Sequence, residues 1–308
     1  MEENKYYYSE IFRSLQGEGT YTGVNSLWIR WFMCNLQCDG FGQKDPTDPS
    51  SYILPYKDLD LINIQQVEDL PVFDYGCDSS YTWSKKYKHL MKCEDIKTIA
   101  DKLEKELVSK SNPQGKFLHP VSLQETHMCF TGGEPLLKAN QKATVATMNE
   151  FRKRNNLPRY VTVETNGTQK LIPELVKMIK EFQNTFMDLG KEAEWFWSVS
   201  PKLYTVSGEK PSKAIKPEHV AEYVKVSNCG HLKFVANDTD ACWEEIGQVV
   251  KQFKAAGINW PVFIMPVGAT KEQQEMPVNV NIVHKALERG YNISGRLHCH
   301  LLGNSIGT

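Results

Sequence analysis

The stretch Met33-Cys-Asn-Leu-Gln-Cys-Asp-Gly-Phe-Gly42 sets two cysteines, Cys34 and Cys38, four positions apart. Such a pair invites a metal ion or an iron–sulfur cluster. A familiar cluster pattern would put a third cysteine at position 41, and that position holds Phe41. Taken alone, the pair reads as well as structural thiols or as half of a zinc site. The flanking sequence decides what the loop is part of. Ser26-Leu-Trp-Ile-Arg-Trp-Phe-Met33 reads as a strand running into the cysteines.

Downstream the pattern alternates. Glu94 to Val108 reads as a helix with Ile96, Ile99, Leu103 and Leu107 on one face. Thr126–Thr131 is a strand ending in Gly-Gly-Glu-Pro, and a helix follows over about 140–155. Tyr160–Glu164 is the next strand, ending in Thr-Asn-Gly, with a helix over about 173–183. Strands at 195–200, 231–236 and 261–265, and helices at 241–254 and near 280–289, continue the series to Ile293–Leu297. Strand then helix, repeated about six times, predicts an α/β fold with a mostly parallel sheet covered by helices. Sites in such folds gather at the carboxyl ends of the strands. The cysteine loop, Gly-Gly-Glu-Pro, Glu-Thr-Asn-Gly and Ser-Val-Ser-Pro-Lys all fall at those ends. Singly, each is ordinary turn chemistry; together they mark one site.

Residues 39–76 break the rhythm with four prolines, at 46, 49, 55 and 71, and many aspartates. Their middle, Leu59 to Val67, reads as a short strand or helix, and the segment as an insertion in a single domain spanning 1–308. The formal net charge is −1 with the signs interspersed, so nucleic acid is not expected as a direct ligand. The polar N-terminus carries no secretory signal, and no apolar run is long enough for a membrane span; the expected compartment is the cytoplasm. Of the eight cysteines, those at 93, 129, 229, 242 and 299 read as core or incidental thiols, since cytosolic disulfides are rare. His298 and His300 read as a strand-edge pair.

Taken together, the blocks resemble the radical S-adenosylmethionine (SAM) enzymes, and among them the 7-carboxy-7-deazaguanine synthases of queuosine and related deazapurine biosynthesis. The N-terminal signature is similar to Ile11-Phe-Arg-Ser-Leu-Gln-Gly-Glu-Gly-Thr-Tyr-Thr-Gly23, followed by Ile29-Arg30 ahead of the cysteines. Cys77-Asp-Ser79 and Thr82-Trp83 are similar to the block that carries the third cluster cysteine. The resemblance thus implies Cys34, Cys38 and Cys77 as the ligands of a 4Fe–4S cluster, with 38 residues separating the last two where the family's usual spacing has two. Cys129–Leu136, Glu164–Gly167 and Ser198–Lys202 follow in the family's order. Departures are the insertion, Ser79 in place of threonine, and a loose match at Arg296-Leu-His-Cys-His300.

The fold implied is a partial (β/α)6-type radical SAM barrel. The open iron of the cluster would bind SAM, whose reductive cleavage yields the 5′-deoxyadenosyl radical. Gly132, Gly133, Glu134, Asn166, Ser198, Ser200 and Lys202 would hold SAM. The substrate implied is 6-carboxy-5,6,7,8-tetrahydropterin, with Leu15, Gln16, Gly17, Glu18 and Thr131 at its ring edge and Arg30 forked onto its carboxylate. Ser79 would help to hold a Mg²⁺ ion. Hydrogen abstraction, ring contraction and loss of ammonia would make the enzyme a carbon–nitrogen lyase that needs no general acid or base. The family also implies a flavodoxin- or ferredoxin-like electron donor and a homodimer. Two rival readings stay open on the sequence: another radical SAM reaction, such as glycyl-radical activation, and a non-catalytic metal-stabilised homologue.

Overall fold

The computed structural model describes residues 4–307. Its strands are β1 (Lys5–Leu15), β2 (Asn25–Trp31), β3 (Lys92–Asp95), β4 (His127–Gly132), β5 (Tyr160–Thr165), β6 (Glu194–Val199), β7 (Cys229–Ala236), β8 (Val262–Pro266) and β9 (Asn292–Ile293). They form one open sheet in the order β3-β1-β2-β4-β5-β6-β7-β8-β9. From β2 to β9 every neighbouring pair is parallel; β1 runs antiparallel to both β2 and β3. The parallel strands anticipated from 26–33, 126–131, 160–164, 195–200, 231–236 and 261–265 all appear within a residue or two of those bounds.

The helices are α1 (Pro55–Asp58), α2 (Ile96–Leu107), α3 (Lys138–Lys153), α4 (Pro173–Asp188), α5 (Tyr204–Ser207), α6 (Pro211–Ala214), α7 (Pro217–Val226), α8 (Asp240–Ala255), α9 (Lys271–Gln274), α10 (Asn279–Glu288) and α11 (Leu297–Leu302). Helix α2 starts later than its apolar periodicity suggests. The Asp95 side chain caps it by accepting from the Lys97 and Thr98 amides, and residues 92–95 are taken up as β3. Its Ile99, Leu103 and Leu107 are buried in the main core. That core is built on the sheet by Trp31, Phe130, Trp195, Trp197 and Phe234, with the rings of Trp31 and Phe130 stacked 6.4 Å apart. Among the described residues no helix is long and apolar enough to cross a membrane.

Two stretches depart from expectation. No strand or α-helix forms over 59–67, and only Val67 enters a 3₁₀ turn; the insertion holds α1, three-residue 3₁₀ turns at Pro49–Ser51 and Val67–Asp69, and loops. It buries Tyr56, Ile64, Val67, Leu70 and Phe73 against Tyr81, Tyr87 and Leu90 in a cluster separate from the main core. The C-terminal stretch leaves the sheet after two residues of β9, and His298 and His300 sit on α11 instead of at a strand edge. The reason lies in contacts far away in sequence. The Ser294 hydroxyl accepts from the Gly19 amide at 2.9 Å, and the Arg296 guanidinium, buried and triply bonded, draws the chain inward.

Candidate active site

One cavity of about 290 Å³ opens at the carboxyl ends of β2, β4, β5, β6, β7 and β8. The cavity wall includes Leu15, Gln16, Gly17, Glu18, Arg30, Cys34, Cys38, Cys77, Ser79, Thr131, Gly132, Gly133, Asn166, Ser198, Ser200 and Lys202. Glu134 is the one residue expected at the site that stands outside the wall. Its carboxylate is fully buried and accepts from the Thr165 hydroxyl at 2.6 Å and the Leu136 and Asn166 amides at 2.9 and 2.8 Å. Burial pushes its carboxyl up to about 6 despite those donors. Its visible work is to tie the β4 loop to the β5 loop.

The geometry answers the question raised by Phe41. The Gly76 amide donates to the Phe41 carbonyl at 2.8 Å, closing the neck of the insertion. The chain therefore returns to its starting point and sets Cys77 beside the other two thiols. Phe41 itself is partly buried, and the Lys202 ammonium lies over its ring, 5.7 Å from the centroid. Lys202 also donates to the Ser200 hydroxyl at 3.0 Å. Burial pushes the Cys34 thiol up to about 12, with Glu134 adding to it, and pushes Cys77 up to about 11, with Asp78 adding to it. Burial also raises Cys38 well above an ordinary thiol. Lys202 opposes the rise at all three. The free thiols are thus neutral, and a cationic iron centre is what would draw their protons off.

Among the described residues no three His, Cys, Asp or Glu side chains close in tightly enough to hold a single metal ion. Three soft thiols on one cavity wall, with a cation beside them, fit a larger cluster better than one zinc. Gly133 lies against the loop so closely that a Cβ there would come within 2.4 Å of the Met33 carbonyl oxygen and 2.7 Å of Cys34 Cβ. Its lack of a side chain lets β4 pack against the cysteines. The Ser79 hydroxyl places an oxygen, the donor type a magnesium ion would take, at the cavity wall. It occupies an N-cap position without making a capping bond and donates instead to Asp78 Oδ1 at 2.9 Å.

The opposite chemistry gathers around Glu18. Its carboxylate pairs with Lys233 and, at 2.9 Å, with Arg296 Nε. Arg296 also donates to Asp78 Oδ2 and to the Gly268 carbonyl, each at 2.9 Å. Burial works against the Glu18 charge, but Lys233, Arg296 and His298 hold the carboxyl far below its usual range. Gln16 Nε2 and the Thr131 hydroxyl donate to the two Glu164 oxygens at 3.1 and 3.2 Å. Arg30 faces Glu10 directly across β1 and β2, and its Nε lies 2.5 Å from Glu10 Oε1. A register shift between Tyr8 and Glu10 brings that pair opposite one another. Tyr81 donates to the same Glu10 oxygen at 2.8 Å, while Glu10 Oε2 is buried with no hydrogen-bond partner among the described residues. With Nε taken, the fork Arg30 can offer a ligand is the pair of terminal nitrogens.

Ser198 is held by His231, whose Nε2 lies 2.9 Å from the Ser198 hydroxyl and whose Nδ1 lies 2.9 Å from the Thr20 hydroxyl. Burial pushes His231 down to about 3, with Lys233 adding to it, so the ring is neutral. Between that value and an ordinary histidine near 6.5 the unfolded chain binds the extra proton. Stability is therefore full above the upper value and is lost as pH falls through the window. Moving from about pH 7 to about pH 5 is expected to cost on the order of 2 kcal/mol through this ring. Urea unfolding of wild type and His231→Gln at both pH values measures it, and the variant should show the shallower loss.

Sequence reasoning missed Glu10, His231, Lys233 and Arg296. A lysine inside the apolar run of β7 was a usable signal, because buried lysines need a partner. The Glu10–Arg30 pairing depends on the β1 register, which no local pattern reveals.

No family model matches the chain. Its fold is similar to the crystal structure of QueE from Escherichia coli, with a TM-score of 0.51 over 94% of this chain and 93% of that one, at 15% identity. That likeness is one of fold: an open, mostly parallel sheet with helices around it. Sequence similarity is more particular. The chain is 26% identical to the 7-carboxy-7-deazaguanine synthase of Rhodopirellula baltica over 97% of this chain and 88% of the relative. It is 25% identical to that of Halobacterium salinarum over 95% and 89%, and 23% identical to that of Pyrobaculum aerophilum over 97% and 95%. It resembles the 7-carboxy-7-deazaguanine synthases along nearly its whole length.

Proposed function

We propose that the chain is a radical SAM enzyme that converts 6-carboxy-5,6,7,8-tetrahydropterin to 7-carboxy-7-deazaguanine with loss of ammonia, in 7-deazapurine biosynthesis. The observation that carries this reading is the single cavity that holds Cys34, Cys38 and Cys77 together with Gln16, Glu18, Arg30 and Thr131. The chain is read as one domain, with 39–76 inserted in the cluster loop.

Cys34, Cys38 and Cys77 would hold the 4Fe–4S cluster, and Gly132, Gly133, Asn166, Ser198, Ser200 and Lys202 would line the SAM site. When bound, the cluster and SAM supply the reducing electron and the carbon radical that takes a substrate hydrogen. The protein's residues do the rest. Arg30, oriented by Glu10, whose carboxylate Tyr81 also bonds, holds the substrate carboxylate through its terminal nitrogens. Gln16, Thr131 and Glu164 present a prearranged set of donors and acceptors to the heterocycle. Ser79 would offer an oxygen to a Mg²⁺ ion, which would help to neutralise the substrate carboxylate. The insertion, through Val72, Asp74 and Gly76, and the tail, through Asn304 to Gly307, wall the cavity from water. A flavodoxin- or ferredoxin-like donor, a homodimeric state and a cytoplasmic setting complete the proposal.

The test is anaerobic reconstitution followed by incubation with SAM, Mg²⁺, a low-potential reductant and the carboxypterin. Formation of 7-carboxy-7-deazaguanine and ammonia supports the reading. SAM cleavage without that product would point to another radical SAM substrate, and a colourless zinc-containing protein to a structural homologue. Within this scheme Arg30→Lys keeps the charge but loses the fork. Substrate affinity is expected to fall by about 1–3 kcal/mol, with SAM affinity little changed. Calorimetric titration of each ligand reads both, and an unchanged carboxypterin affinity in a folded variant removes Arg30 from the site.

A further inference from the structure

The cysteine loop adopts a backbone that its own residues resist. Met33 and Cys38 have φ of 81° and 56°, the left-handed region that non-glycine side chains disfavour. Such a shape persists only where the surroundings over-determine it. At Cys38 the surroundings are residues 207–214. The Gly40 amide donates to the Ser207 carbonyl at 3.0 Å, and a Cβ at Gly40 would come within 2.6 Å of the Ser207 carbonyl carbon. Ala214 packs against Leu36 and Cys38. Between α5 and α6 stands Glu209, with its side chain 10% exposed. Its Oε1 accepts from the Gln37 amide at 2.6 Å and from the Cys38 amide at 3.0 Å. Its Oε2 accepts from Lys213 Nζ at 3.2 Å.

This arrangement has an electrostatic side. Backbone amides beside an iron–sulfur cluster are the usual donors to its sulfurs, and such bonds, like nearby positive charge, make reduction easier. Here the two amides at the second ligand are already spent on a carboxylate. That carboxylate also brings a negative charge into a buried setting, where screening is weak. The Lys213 partner is half exposed, so its compensating charge is largely screened.

We infer that Glu209 is a positioning residue for the iron–sulfur site: it fixes the left-handed loop at Cys38 through both amides, and its charge holds the bound cluster's reduction potential low. The inference rests on the reading of Cys34, Cys38 and Cys77 as cluster ligands. It gives the chain a reason to place an acid at a loop that must bind a cationic centre. A lower potential makes the reduced cluster a stronger electron donor to the sulfonium.

Two variants separate the parts. Glu209→Ala removes both acceptors. In the metal-free chain, amide hydrogen exchange at Gln37 and Cys38 should quicken by at least about tenfold, the loss of one charge-assisted hydrogen bond, and iodoacetamide should alkylate Cys38 faster. Glu209→Gln keeps an acceptor oxygen and loses the charge. Reconstituted anaerobically, it should retain wild-type iron and sulfide, while redox titration followed by EPR shows the midpoint moved to a more positive value. Wild-type exchange and alkylation in Glu209→Ala overturn the positioning role, and a wild-type midpoint in Glu209→Gln overturns the electrostatic one. A wild-type chain that takes up no cluster, with exchange still quickened in Glu209→Ala, upholds the hold on the loop and overturns the cluster reading instead.

Discussion

Cys77→Ala, reconstituted anaerobically with iron and sulfide, is expected to lose the site-differentiated cluster and all SAM cleavage, while Cys93→Ala keeps both. The contrast follows from where the two thiols sit. Cys77 is a cavity-wall residue just past the closed neck of the insertion, and the Cys34 and Cys38 thiols both sense it. Cys93 is exposed on the short edge strand β3, paired in register with Tyr7, and does not line the cavity. The long excursion is no obstacle, because loop-closure entropy grows only with the logarithm of length. The segment is also tethered along its way: Gln43 bonds the Asp39 and Ile53 carbonyls at 3.1 and 2.7 Å, and Tyr56 bonds Asp39 at 3.1 Å. Iron and sulfide analysis with a SAM-cleavage assay reads the outcome. A dead Cys93→Ala beside a Cys77→Ala that keeps its full cluster would place the third ligand elsewhere.

The contrast between these two cysteines shows what local pattern can carry. The six central parallel strands were legible because each is a short apolar run followed by glycine or polar turn residues, a signal that needs no partner. The site residues at their carboxyl ends came with them. Cys77 as the proposed third ligand is legible only through the resemblance of Cys77-Asp-Ser79 to a known block, since spacing alone points to position 41. Strand β1 was not anticipated, although Tyr6, Tyr7, Tyr8, Ile11 and Phe12 suit a strand. What defines it is pairing with β2 and β3, which is non-local. The tail was misread for the same reason. Alternating His298 and His300 match a strand by period, but the bonds of Arg296 to Glu18, Asp78 and Gly268 decide the path. The motif points Glu134 at SAM; the links its carboxylate makes to the Thr165 hydroxyl and the Asn166 amide are not visible in that motif. Buried polar networks join residues far apart in sequence, so they leave little local trace.

The largest effect on stability is expected at Glu18. Glu18→Ala leaves Lys233, whose hydrogen-bond partner among the described residues is Glu18, as an unpaired buried cation. It also strips Arg296 of one of its three partners, with Asp78 and Gly268 remaining. Breaking one side of a buried ion pair costs about 3–5 kcal/mol, a large share of the roughly 5–15 kcal/mol that hold a protein folded. A urea midpoint that drops with an unchanged slope measures the loss; a drop below about 1 kcal/mol would mean that water reaches Lys233. Because Glu18 is also assigned to the substrate, one variant cannot separate the two roles. Glu18→Leu with Lys233→Met removes the pair together and leaves Arg296 on Asp78. Replacing a buried pair by apolar groups is often nearly neutral, so the double variant should recover most of the stability that Glu18→Leu alone loses, a coupling a double-mutant cycle reads directly. It should still fail to bind the carboxypterin, since the cavity has lost a carboxylate and an ammonium from its wall. Recovery of stability with binding intact would assign Glu18 to the architecture alone and move substrate recognition to Gln16, Thr131, Glu164 and Arg30.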